Sequence, residues 1–83
     1  MAKYRKKPVV IQAFQWGRDE PPEWFDEAVG DGRVEFSAGL PVIVTLEGRM
    51  DCGRDDWIIR GVKGELYPIK DDIFRSTYEA VEE

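Results

Sequence analysis

The chain has 83 residues, a net charge of −5, 42% hydrophobic and 35% charged residues, a balance that fits one small globular domain over 1–83 and excludes a disordered or membrane-spanning chain. It contains no histidine, which excludes Ser-His-Asp and Cys-His catalysis and removes the commonest ligand of zinc and copper. One cysteine, Cys52, cannot form an intramolecular disulfide and fits a reducing cytosol.

Lys3, Arg5, Lys6 and Lys7 make residues 1–7 a basic arm of charge +4, and subtracting these from −5 leaves residues 8–83 at −9. A body of that charge repels nucleic-acid phosphate and anionic lipid. Lys3, Arg5, Lys6 and Lys7 are nevertheless the candidate nucleic-acid contacts, because short basic arms do enter grooves.

Lys7 to Trp16 follows the arm with β-branched and aromatic residues on both faces, so a central or covered strand is expected there. Pro21 and Pro22 then open a short helix with Asp19 as its expected cap. Trp24, Phe25, Ala28 and Val29 form its apolar stripe, and Gly30 and Gly32 end it. Trp24→Ala is the change expected to undock this helix.

From Arg33 onward the apolar period is two. Short strands are expected over Arg33–Ser37 and Pro41–Leu46, joined by the Ala38–Pro41 turn. A Glu47-Gly48 hairpin returns through Arg49–Cys52. Gly53–Asp56 is a polar turn, and Trp57–Val62 a strand. Lys63-Gly64 leads into Glu65–Ile69, which Pro68 pushes to a sheet edge because it cannot donate a ladder hydrogen bond. Asp71 or Asp72 caps a helical turn through Ile73 and Phe74, and Thr77–Val81 is a candidate closing strand. The expected fold class is α+β: a mainly antiparallel sheet of five to seven short strands, one helix after the first strand and a helical turn near the C-terminus. One helix is scant cover for such a sheet, so partial barrel closure or dimerisation is expected to supply the rest.

No phosphate loop, dinucleotide fingerprint or zinc spacing occurs. Asp51, Asp55 and Asp56 could ligate a hard cation, but Arg54 among them favours an ionic turn. Cys52 is the one strong nucleophile, and without histidine little is left to activate it. No catalytic residue, metal site or cofactor is therefore assigned, and an enzyme is not expected. Three Trp, three Tyr and four Phe are many large rings for a small core. Trp57, Arg60, Lys63 and Tyr67 are the candidates for an exposed aromatic-and-basic patch that binds a ligand or partner.

Two stretches carry a resemblance. One is Lys3-Tyr4-Arg5-Lys6-Lys7-Pro8-Val9-Val10-Ile11-Gln12-Ala13-Phe14-Gln15-Trp16. The other is Asp56-Trp57-Ile58-Ile59-Arg60-Gly61-Val62-Lys63-Gly64-Glu65-Leu66-Tyr67-Pro68, continued by Asp72-Ile73-Phe74 and Thr77-Tyr78-Glu79. Together they resemble a family of small uncharacterised proteins encoded by tailed bacteriophages and prophages. Similar sequences often have Gly-Asp before the Trp, where Asp55-Asp56 stands here, and Cys after Tyr-Pro, where Ile69 stands. The resemblance implies a phage or prophage origin and a bacterial host cytoplasm, and it brings no activity to any residue. With the acidic body and the missing catalytic groups, it leads to the expectation of a non-catalytic accessory protein. Such a protein would bind a host or defence protein or a small nucleotide-like ligand, with homo-oligomerisation as a dimer. A virion or assembly component and a weak nucleic-acid binder are the alternatives.

Overall fold

A computed structural model describes residues 2–5 and 7–81, which carry six strands and two helices. In chain order they are β1 (Gln12–Gln15), α1 (Glu23–Gly30), β2 (Val34–Ser37), β3 (Leu40–Thr45), β4 (Gly48–Asp51), β5 (Trp57–Arg60), β6 (Leu66–Ile69) and α2 (Asp71–Thr77). The strands form two antiparallel three-stranded sheets, ordered β1-β5-β6 and β2-β3-β4. The fold is α+β, and the two sheets do not close into a barrel.

Register assigns the faces, because directly opposed residues share one and neighbours along a strand alternate. In the first sheet Phe14, Ile58 and Pro68 lie in one row and Gln12, Arg60 and Leu66 in another on the same face. Phe14, Ile58 and Leu66 point from there into the core, where they meet Phe25 and Ala28 of α1, Val34 and Ile43 of the second sheet, and Cys52. Rings pack edge to face around this cluster: Phe14 lies 5.5 Å from Trp24 and 5.0 Å from Phe25, distances at which such pairs attract. Trp16 and Phe36 extend the cluster toward the surface.

Several expectations change. The first strand spans four residues, not Lys7–Trp16, and lies at a sheet edge. Its ladder stops at Gln12 because Arg60 opposite is the last residue of β5, after which Gly61–Gly64 turn the chain. Thr77–Val81 is no strand: Thr77 ends α2, and no ladder forms beyond it within the described residues. Asp19 does not cap α1. The N-cap position is Pro22, and Asp19 instead accepts from the Gln15 N–H at 2.9 Å. Finally Phe25, at 2% exposure, is the deep anchor of α1, with Trp24 only half-buried.

The turns follow their residues. Ala38-Gly39 joins the paired Ser37 and Leu40 with φ of 53° and 80°, the left-handed pair that a two-residue hairpin of type I′ requires. The next hairpin is one residue out of the expected frame. Thr45 pairs with Gly48, so the loop is Leu46-Glu47. The Thr45 hydroxyl fixes this frame, donating to the Gly48 carbonyl at 2.8 Å and accepting from the Glu47 N–H. Pro68 lies in β6 at a sheet edge, as its missing N–H demands.

Candidate functional groove on the first sheet

The face of the first sheet opposite the core carries Ala13, Ile59 and Tyr67 in one row and Gln15, Trp57 and Ile69 in the next. α2 packs against it through a parallel ring stack. Trp57 and Phe74 have centroids 3.9 Å apart at 8°, and Tyr78 continues the stack 5.2 Å beyond Phe74. One carboxylate oxygen ties the layers together. Asp71 Oδ1 accepts from the Trp57 indole N–H at 2.8 Å, the Arg75 Nε–H at 2.9 Å and the Gln15 amide at 3.2 Å. The Trp57 hydrogen bond, followed by Arg75, holds the Asp71 carboxyl below its ordinary value despite the opposing cost of desolvation. Gln15, itself only 8% exposed, also donates to the Asp55 carbonyl at 3.0 Å.

α2 covers part of this face only. Beside it runs a groove of about 450 Å³ between the chain before β1 and the chain after α2, lined chiefly by Val9, Val10, Ala13, Trp57, Phe74 and Val81. Val9, Val10 and Val81 are 47%, 71% and 65% exposed, so the rim is apolar and open. Gln12 and Glu79 are the polar side chains on it besides the Tyr78 hydroxyl. Such a lining suits an apolar chain and, among the described residues, offers no cation to a phosphate.

The four residues expected to form a patch are not brought together. Trp57 and Tyr67 share the α2 face and are half-buried. Burial pushes the Tyr67 phenol up to about 12, and the neighbouring Tyr78 hydroxyl adds to it. Arg60 lies three residues from Trp57 on the opposite face, exposed, donating to Gln12 Oε1 at 2.9 Å. Lys63 is exposed in the turn after β5. Of the basic arm, Lys3, Arg5 and Lys7 are exposed, and Lys6 lies outside the described residues.

The acidic turn is internally engaged. Asp56 is 6% exposed and accepts from the Gly53 N–H at 2.8 Å and from Lys70 Nζ at 3.0 Å. The first of these is a local loop clasp and the second raises the Lys70 pKa. Asp55 pairs with Arg18 at 2.9 Å, and Asp51 is an exposed residue of β4. No trio of His, Cys, Asp or Glu among the described residues is placed to hold a metal ion. Cys52 is 1% exposed, and burial, with the Asp56 charge second, pushes its thiol up to about 12, away from the thiolate that nucleophilic chemistry needs.

Val9, Val10, Phe74, Tyr78 and Val81 were not singled out as site residues by the sequence. Val9 and Val10 fall in a stretch expected to be a covered strand, so their exposure could not be read from the sequence. No protein family, no curated protein and no solved structure matches the chain.

Proposed function

We propose that the protein acts by binding and not by turnover, as a phage- or prophage-encoded accessory protein that takes an apolar segment of a host or defence protein into the groove beside Trp57. The groove itself carries this reading: an open apolar channel lined by the Trp57–Phe74–Tyr78 stack. Pre-formed aromatic linings of this kind anchor partner side chains at little cost in conformational entropy. A protein segment is favoured over a nucleotide-like ligand because Glu79 on the rim and a body of charge −9 oppose phosphate. The buried thiol of Cys52 and the internally paired acidic turn support a role without catalysis. The origin rests on the resemblance of the two sequence blocks, Lys3–Trp16 and Asp56–Pro68 with Asp72–Phe74 and Thr77–Glu79.

Val10→Asp tests the reading without touching the fold, because Val10 is 71% exposed on the rim. Affinity capture from phage-infected bacterial lysate is run in parallel with wild type and variant. A bacterial protein enriched by the wild type, lost with Val10→Asp and bound directly when purified is the expected result. A partner held equally by both proteins, or none held by the wild type, contradicts the reading.

A further inference from the structure

β1 has β5 on one side and no described strand on the other. Trp16 donates across to the Asp56 carbonyl. By antiparallel alternation the backbone groups of Phe14 and Gln12 also turn toward β5, and those of Gln15, Ala13 and Ile11 turn outward. Gln15 is closed off by its own turn. Its N–H donates to Asp19 Oδ2 at 2.9 Å, and its carbonyl accepts from the Arg18 and Asp19 N–H groups. Ala13 and Ile11 have no such closure: among the described residues no backbone hydrogen bond reaches them from that side. The open edge runs on into Pro8 and the β-branched run Val9-Val10-Ile11, which has no partner strand among the described residues, with Val9 and Val10 exposed. Native edges of this kind are ordinarily blunted by charge, bulge or cover.

We propose that the missing neighbour is a second copy of this chain, paired antiparallel along residues 9–13 about a two-fold axis at Ile11. In that register Ile11 faces its own equivalent and Val9 faces Ala13, so outward groups meet outward groups along the whole contact. The two first sheets become one continuous sheet. Charge selects a copy over another occupant. The strand ends at Gln15, where the chain turns, so each arm, +4 over residues 1–7, leaves the pairing beside the other copy's Gly17–Glu20 turn, which carries Asp19 and Glu20 with Arg18, on a body of charge −9. Lys3, Arg5 and Lys7 are exposed and form no ion pair among the described residues, which leaves them available for it. The contact uses the backbone edge of residues 9–13, whose side chains also line the groove, so the Lys3→Glu, Arg5→Glu variant, which changes no groove residue, separates dimerisation from partner binding.

Sedimentation equilibrium at concentrations on the order of 100 µM, suited to an interface at the small end of the range, reads the result directly. The expected mass is twice 9.6 kDa, falling toward 9.6 kDa at high salt as the arm contacts are screened. Ile11→Pro removes an outward N–H and no bond to β5, so it is expected to give a folded monomer; Lys3→Glu with Arg5→Glu is expected to weaken the dimer at least tenfold. Amide exchange supplies a readout that needs no variant: protection at Ile11 and Ala13 rises with protein concentration while that at Phe14 does not. A wild-type monomer, a dimer unaffected by Ile11→Pro, a dimer indifferent to the arm charges, or concentration-independent exchange at Ile11 and Ala13 would each overturn the proposal.

Discussion

Asp71 shows how one side chain can secure an element. Its Oδ1 serves Trp57, Arg75 and Gln15 together, so losing it leaves three donors on two layers without their acceptor. Asp71→Ala is expected to release α2, seen as faster amide exchange over Asp71–Thr77 with unchanged exchange in β2–β4. The carboxyl's folded pKa lies below its ordinary 3.8. The stabilisation is therefore complete above that ordinary value and is lost as pH falls through the lowered one. Near-UV circular dichroism followed into acid is expected to show this loss for wild type and a shallower one for Asp71→Asn. Cys52 gives a second residue-scale prediction. Buried and with its thiol pushed up to about 12, it should resist a disulfide reagent at neutral pH until the protein unfolds, and a fast native reaction contradicts its placement.

At the scale of elements, α1 depends on Phe25. Phe25→Ala is expected to destabilise the fold by roughly 3–5 kcal/mol, the usual cost of emptying a buried aromatic site, with a smaller loss for Trp24→Ala by urea unfolding. The hairpin at Ala38-Gly39 invites the opposite sign. Ala38 sits at φ 53°, where an L side chain is strained, so Ala38→Gly is expected to stabilise by about 1 kcal/mol. Most elements were legible in the sequence because each has its own local chemistry: the prolines and glycines around α1, the period of two from Arg33, the turn residues over Ala38–Pro41. Two of the failures share one cause. The lengths of β1 and of the C-terminal segment are set by a neighbour, since a strand extends only as far as its partner, and Gly61 ends β5 before Val9 could be paired. Composition cannot reveal a missing neighbour. The Leu46-Glu47 frame escaped for a smaller reason, a single Thr45 hydroxyl.

For the whole molecule, the two faces of the first sheet divide the rings. Phe14, Trp16, Trp24, Phe25 and Phe36 serve the core side, and Trp57, Phe74 and Tyr78 the α2 side. The aromatic excess does not say which rings and cations share a face: Trp57 and Arg60 are near in sequence and fall on opposite faces of a strand. The groove was harder still to read, being assembled from the two ends of the chain. Its occupancy is the central claim, and one spectrum tests it most directly. Trp57 lines the groove and its indole N–H is tied to Asp71, which gives it a resonance distinct in environment from those of Trp16 and Trp24. On titration with the purified captured partner, nitrogen–proton correlation spectra are expected to shift that indole together with the amides of Val9–Ala13 and Tyr78–Val81. Shifts confined to the exposed Leu46–Met50 hairpin tip, with the Trp57 indole and both chain ends unmoved, would contradict the account.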